Sequence, residues 1–258
     1  MTNRARASSD LVYRSVVRAC GALFRLPGYR FDVRGTEHLP ASGPAVLASN
    51  HQSLIDFTLV GRAARDRDRL VRFMAKRSLF GRNPLGWLMR RMGHLPVERG
   101  HGAVAYRQAL RLVEAGGIVG LFPEATISRS WLIKQLRPGA AAIALRCDVP
   151  LIPVVTWGGH RILTVDGRRS LRRRIAVTVL VGPPLERRDD DTIATLTERL
   201  RAALTALLDT AIRTYPDAPR DDADRWWLPH DRGGMAPDPQ TAHELDLAGV
   251  LRVGNVLE

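Results

Sequence analysis

Cysteine is scarce in this chain: Cys20 and Cys147 are the only two, far apart and outside any C-x-x-C pair. That excludes a disulfide framework or a zinc knuckle and suits reduced, buried thiols of a cytoplasmic protein. Lysine is almost missing, since Lys76 and Lys134 are the only ones among 39 basic residues. Aromatics make up 6% and do not interleave with the arginines, which argues against a stacking platform for nucleic acid. No run of about 18 apolar residues exists, so no segment spans a bilayer as a simple helix. The first apolar stretch, 11–26, is interrupted by Arg14, Arg18 and Arg25 and does not read as a signal peptide. His94, His101 and His160 lack a carboxylate or cysteine at ligand spacing, so no metal site is expected. A Gly-x-Ser-x-Gly nucleophile elbow is also absent.

What is present is a globular composition with a strong field. The 258 residues are 45% hydrophobic, enough for a sizeable core, and carry a formal net charge of +13. Such a surface attracts a polyanion: nucleic acid, an anionic bilayer or a phosphorylated substrate.

Short apolar runs at 30–34, 45–49, 70–75, 94–97, 118–122, 151–156 and 175–181 read as strands. Helical spacing appears at 54–64, 84–92, 103–115, 139–147 and 192–213. The alternation predicts an α/β fold, a mixed central sheet with helices on both faces. An amphipathic helix over about 9–24, capped by Ser9 or Asp10, precedes it. Its arginines and apolar face suit either a membrane surface or the core. The expected organisation is that helix in 1–28, the main domain in 29–215, and a tail over 216–258 laid on the core.

The segment Ala45-Val-Leu-Ala-Ser-Asn-His-Gln-Ser-Leu-Ile-Asp56 starts as a buried strand and ends as a helix, with His51 in the turn. Catalytic groups of α/β sheets gather beyond the carboxyl ends of strands. Five residues separate His51 from Asp56, an offset that turns two side chains of one helix roughly 140° apart. They meet only if His51 precedes the helix and Asp56 lies in its first turn, as Ser53 at the N-cap would allow. Read blandly, Ser53 to Asp56 is a capping box and His51 a packing residue.

The Asn50-His51-x-x-x-x-Asp56 pattern resembles the signature of the glycerophospholipid acyltransferases, of the lysophosphatidic acid acyltransferase type. Three further blocks follow in that family's order: Gly93-His-Leu-Pro-Val-Glu-Arg99, Phe122-Pro-Glu-Ala-Thr-Ile-Ser128 and Val149-Pro-Leu-Ile-Pro153. The resemblance implies an acyltransferase of phospholipid biosynthesis, moving a fatty acyl group from acyl-CoA or acyl-carrier protein to a lysophosphatidic acid or related lysophospholipid hydroxyl. No further cofactor is implied, and the expected place is the cytoplasmic face of the cell membrane, peripheral or monotopic. His51 would be the base, since a free imidazole's pKa lies close to working pH, with Asp56 orienting it. Amides at the start of the following helix would meet the oxyanion. Arg99 would bind the acceptor phosphate, and the fourth block would line the acyl pocket.

Two positions of the third block depart from the family, Ala125 where glycine is usual and Ile127 where arginine is usual. Arg129 or Lys134 would then supply the missing charge, with Thr126 beside them. Glu124 would fix the acceptor's glycerol hydroxyl, hold an arginine, or be merely structural. Lys76 and Arg77 follow a strand and are either phosphate ligands or solvated charges. For lipid contact, the segment around Trp87 fits the core better than the interface, and the arginine-rich stretch 166–174 fits either lipid or solvent. Trp226 and Trp227 are expected to cover a hydrophobic patch. The competing reading is a catalytically inactive lipid- or anionic-membrane-binding protein of the same fold.

Overall fold

The computed structural model describes residues 3–98, 102–165 and 172–254; Arg99 and residues 166–171 of the arginine-rich stretch lie outside them. Helix α1 (Asn3–Arg25) leads into a seven-stranded sheet formed by β1 (Arg30–Arg34), β2 (Ala45–Ser49), β3 (Val71–Lys76), β4 (Leu95–Val97), β5 (Ile118–Leu121), β6 (Leu151–Trp157) and β7 (Ala176–Val181). Its order is β1-β7-β6-β2-β5-β3-β4. Every pairing is parallel except β6 with β7, so the mixed sheet expected from the sequence is what forms.

Alternation along the strands sorts the core into two layers. Val46, Val119 and Val155 face one side with α4 (Gly102–Glu114), α5 (Gly139–Cys147) and α6 (Ile193–Arg213). Leu47, Ile118 and Ile152 face the other with α2 (Asp56–Arg65). Helix α1 packs outside α2 and against α3 (Pro84–Arg91), where Tyr13 meets Met89 and Met92. The Tyr13 hydroxyl donates to the Val71 carbonyl at 2.6 Å.

Several local expectations are corrected. Helix α1 begins before residue 9, so Ser9 and Asp10 sit inside it and cap nothing; the Asp10 carboxylate pairs with Arg72. Both cysteines are unpaired as expected but only partly buried. Trp87 projects from α3 with 53% exposure, because α3 buries only Gly86 and Met89. The tail is packed on the domain: Trp227 is buried in the α6-side core, and a final helix, α7 (Pro239–Gly254), follows. No described helix is long and apolar enough to cross a membrane.

Candidate active site

From β2 the chain turns to α2 on one face; from the neighbouring β5 it goes on to α5 on the other. The carboxyl ends of these strands therefore open a crevice at a topological switch point, where α/β sheets place their ligands. His51 occupies it.

Asn50 fixes the exit from β2. Its carboxamide donates to the Thr156 carbonyl at 3.0 Å and accepts the Thr156 amide at 2.8 Å, extending the β2–β6 ladder with a side chain. Asp56 opens α2 with its carboxylate folded back over the turn, 1% exposed. Its Oδ2 accepts from His51 Nδ1 at 2.9 Å and from the amides of Gln52 and Ser53, both at 2.7 Å. Its Oδ1 accepts the Thr156 hydroxyl at 2.8 Å. The buried carboxylate thus meets four donors, so neither oxygen is left unpaired. Because it can only accept, the imidazole proton belongs on Nδ1, and Nε2 is left as the acceptor. The ring is 22% exposed and stacks on Phe122 at 4.3 Å between centroids. Phe122 in turn stacks on Phe73 at 5.8 Å.

The expected histidine–aspartate contact thus forms, by a different cap. Ile55, not Ser53, is the N-cap of α2, and it makes no side-chain cap bond. Gly159 lets the turn sit close to β6, since a Cβ there would stand 2.9 Å from Leu59 and 3.3 Å from the Ser53 Cβ. The amides of Gln52 and Ser53 are spent on Asp56, and the Leu54 amide bonds the Leu163 carbonyl.

Glu124 is held by backbone amides and not by an arginine. Its two oxygens accept backbone amides, His51 at 2.9 Å and Lys134 at 3.1 Å, so it ties the histidine turn to the loop after β5. The Ser128 amide returns a bond to the His51 carbonyl at 2.7 Å. Burial pushes the Glu124 carboxyl up to about 7, against the pull of the two amides and Lys134. Ala125 explains the family's glycine: its φ is +65°, a left-handed conformation that costs an L-residue about 1–2 kcal/mol. Ile127 is buried where a charge was expected.

Arg129 and Lys134 come together with Thr126, as the sequence suggested, but an acid joins them. Asp246 of α7 reaches Lys134 Nζ at 2.7 Å and Arg129 Nε at 3.3 Å, while Lys134 also donates to the Thr126 hydroxyl. Lys76 stands exposed at the end of β3. Thr156, Gln52 and Phe122 were not singled out beforehand as parts of the site. Thr156 lies three residues past the last block, and only the fold brings it to Asp56. Among the described residues no cluster of three or more metal-ligating side chains occurs.

Residues 30–157 match the model of a family described as Acyltransferase. A chloroplastic 1-acyl-sn-glycerol-3-phosphate acyltransferase of Brassica napus is 30% identical over 164 residues, 62% of this chain and 46% of that one. The corresponding alpha enzyme of Bos taurus is 30% identical over 69% of this chain and 63% of its own length. A Bacillus subtilis 1-acyl-sn-glycerol-3-phosphate acyltransferase is 27% identical over 76% of this chain and 96% of its own. The chain spans about half the length of the plant relative. The crystal structure of the Thermotoga maritima 1-acyl-sn-glycerophosphate acyltransferase PlsC superposes with a TM-score of 0.68 at 19% identity, covering 84% of this chain and 86% of that one. It has the same fold.

Proposed function

Since the chain belongs to the acyltransferase family, we propose that it moves a fatty acyl group from acyl-CoA or acyl-carrier protein to a hydroxyl of lysophosphatidic acid or a related lysophospholipid, in phospholipid biosynthesis. The observation that carries this is the His51–Asp56 pair, with Nδ1 held at 2.9 Å, which leaves Nε2 as the acceptor. The acceptor hydroxyl gives its proton to Nε2 as its oxygen attacks the thioester carbonyl. The tetrahedral adduct then expels thiolate, which recovers the proton from the imidazolium. Asp56 stabilises that imidazolium and keeps the ring in the tautomer that can accept. No acyl-enzyme forms, and no cofactor beyond the thioester is needed.

The acceptor phosphate is assigned, on this reading, to Arg99, Lys76, Thr126, Arg129 and Lys134. The protein works peripherally on an anionic membrane, at its cytoplasmic face. The inactive lipid-binding alternative has no use for a carboxylate spending four hydrogen bonds to aim one imidazole. Incubating purified protein with a radiolabelled acyl thioester and a panel of lysophospholipids and glycerol phosphates should yield a labelled diacyl lipid. Thioester consumed with no acylated lipid, or no reaction with any acceptor, would sink the proposal.

A further inference from the structure

Beyond β3 the chain presents a lip that the core does not use and of which the proposed chemistry uses only Lys76. Leu79 is 42% exposed, Leu85 50% and Trp87 53%. Around them Lys76, Arg77, Arg82, Arg90 and Arg91 are exposed. From Arg69 to Val97 the sequence holds seven basic residues and no acid, so this charge is regional as well as part of the overall excess. The lip is a formed surface. The Asn83 side chain caps α3 through the Gly86 amide at 2.7 Å, and Arg90 donates to the carbonyls of Phe80 and Gly81. Gly86 packs so closely on this turn that a Cβ would fall 2.0 Å from the Gly81 oxygen. The Arg91 guanidinium stands 5.9 Å from the Trp87 ring centroid.

Topology sets where this surface faces. Strands β2, β5 and β3 are parallel neighbours, so the end of β3 shares its sheet edge with His51, two strand spacings or about 10 Å along. Leu54, inside the histidine turn, is exposed at the same edge. Helix α1 packs Tyr13, Val16 and Val17 toward α3 and leaves Leu11 and Leu23 exposed, at 67% and 62%.

We propose that this lip is where the domain docks on an anionic bilayer. Leu79, Leu85 and Trp87 enter the headgroup–acyl boundary, and the surrounding cations meet lipid phosphate. Leucines flanking an interfacial tryptophan and ringed by cations, with Glu98 beside Arg77 the acid at its border, are complementary to that surface. Nucleic acid would gain nothing from the leucines. This deepens the proposed function and rests on it, because docking here would bring the crevice to the membrane that supplies a lipid acceptor.

The test uses full-length protein and sucrose-loaded phosphatidylcholine vesicles with or without phosphatidylglycerol. Wild type should sediment with the anionic vesicles, and Leu85→Ser/Trp87→Ser or Arg82→Gln/Arg91→Gln should lower the partition coefficient at least tenfold, with unchanged melting. Brominated lipid should quench emission in wild type and much less in Trp87→Phe, because Trp131, Trp157 and Trp227 are buried and Trp226 is half-buried in the tail. Turnover of the double variants with short-chain, monomeric substrates should match wild type. Wild-type partitioning by both double variants, or equal quenching in Trp87→Phe, overturns the proposal. So does a fall in turnover on monomeric substrates, which would make the lip part of the substrate site. A dimer that the serine variant abolishes, with no vesicle binding by wild type, would assign the lip to a second copy. Vesicle binding is read without turnover, so absent acyl transfer with lip-dependent docking defeats the functional reading alone.

Discussion

Four donors converge on Asp56, and the one that is neither local nor backbone, the Thr156 hydroxyl, comes from β6. Replacing it by valine keeps the shape and removes one hydrogen bond from a buried carboxylate. An acceptor left unsatisfied in this way costs about 1–3 kcal/mol. Thr156→Val should lower the melting temperature and, by loosening Asp56, reduce kcat about tenfold. Calorimetry and steady-state kinetics on one preparation check this, and an unchanged kcat would make the contact incidental.

Glu124 makes a second residue-scale prediction with a definite sign. With its carboxyl pushed from an ordinary 4.5 up to about 7, the folded protein keeps a proton that the unfolded chain loses. Its contribution therefore makes stability fall as pH rises from about 4.5 to 7, and level off above. The gap corresponds to roughly 3 kcal/mol. Urea melts of wild type and Glu124→Gln across this range should differ by an amount that falls with pH. A constant difference would mean that Glu124 is ionised throughout.

At the scale of elements, α7 makes the most consequential contact. Asp246 places a carboxylate between Arg129 and Lys134, the cations assigned to acceptor phosphate. The two anions compete if that assignment is right. Asp246→Asn should then lower the acceptor KM by about tenfold, equivalent to roughly 1.4 kcal/mol, with donor KM unchanged. Initial rates with each substrate varied in turn decide it, and an acceptor KM that stays or rises makes these ion pairs structural. The sequence hid this helix because its segment starts at a proline and is rich in polar residues, with little apolar periodicity. The other elements were legible to within a few residues, because buried strands announce themselves as unbroken apolar runs such as Leu151 to Thr156. The start of α1 was misread because Ser9 and Asp10 suit a cap while Asn3 to Ser8 have no apolar spacing.

For the whole molecule, the site was legible where its parts lie close in the chain and illegible where the fold assembles them. His51 and Asp56 share one turn, so their pairing could be argued from spacing. No local pattern says that β6 lies beside β2, and so Thr156 went unnoticed. Glu124 was recognisable as important but not as a backbone clamp, since amide partners leave no trace in residue identity. Nor does residue identity say that Asp56 takes the amides of Gln52 and Ser53, two of those expected near the oxyanion. The left-handed φ of Ala125 likewise needed coordinates to explain what the family's glycine avoids.

The central claim is that His51 is the base in direct acyl transfer, and the most direct measurement is turnover by His51→Ala under saturating thioester and lysophospholipid. The side chain is partly exposed and, among the described residues, none bonds its Nε2, so circular dichroism should be unchanged. Loss of a positioned base should reduce kcat by about 10²–10⁴-fold. A folded His51→Ala protein with near-normal turnover would contradict the account.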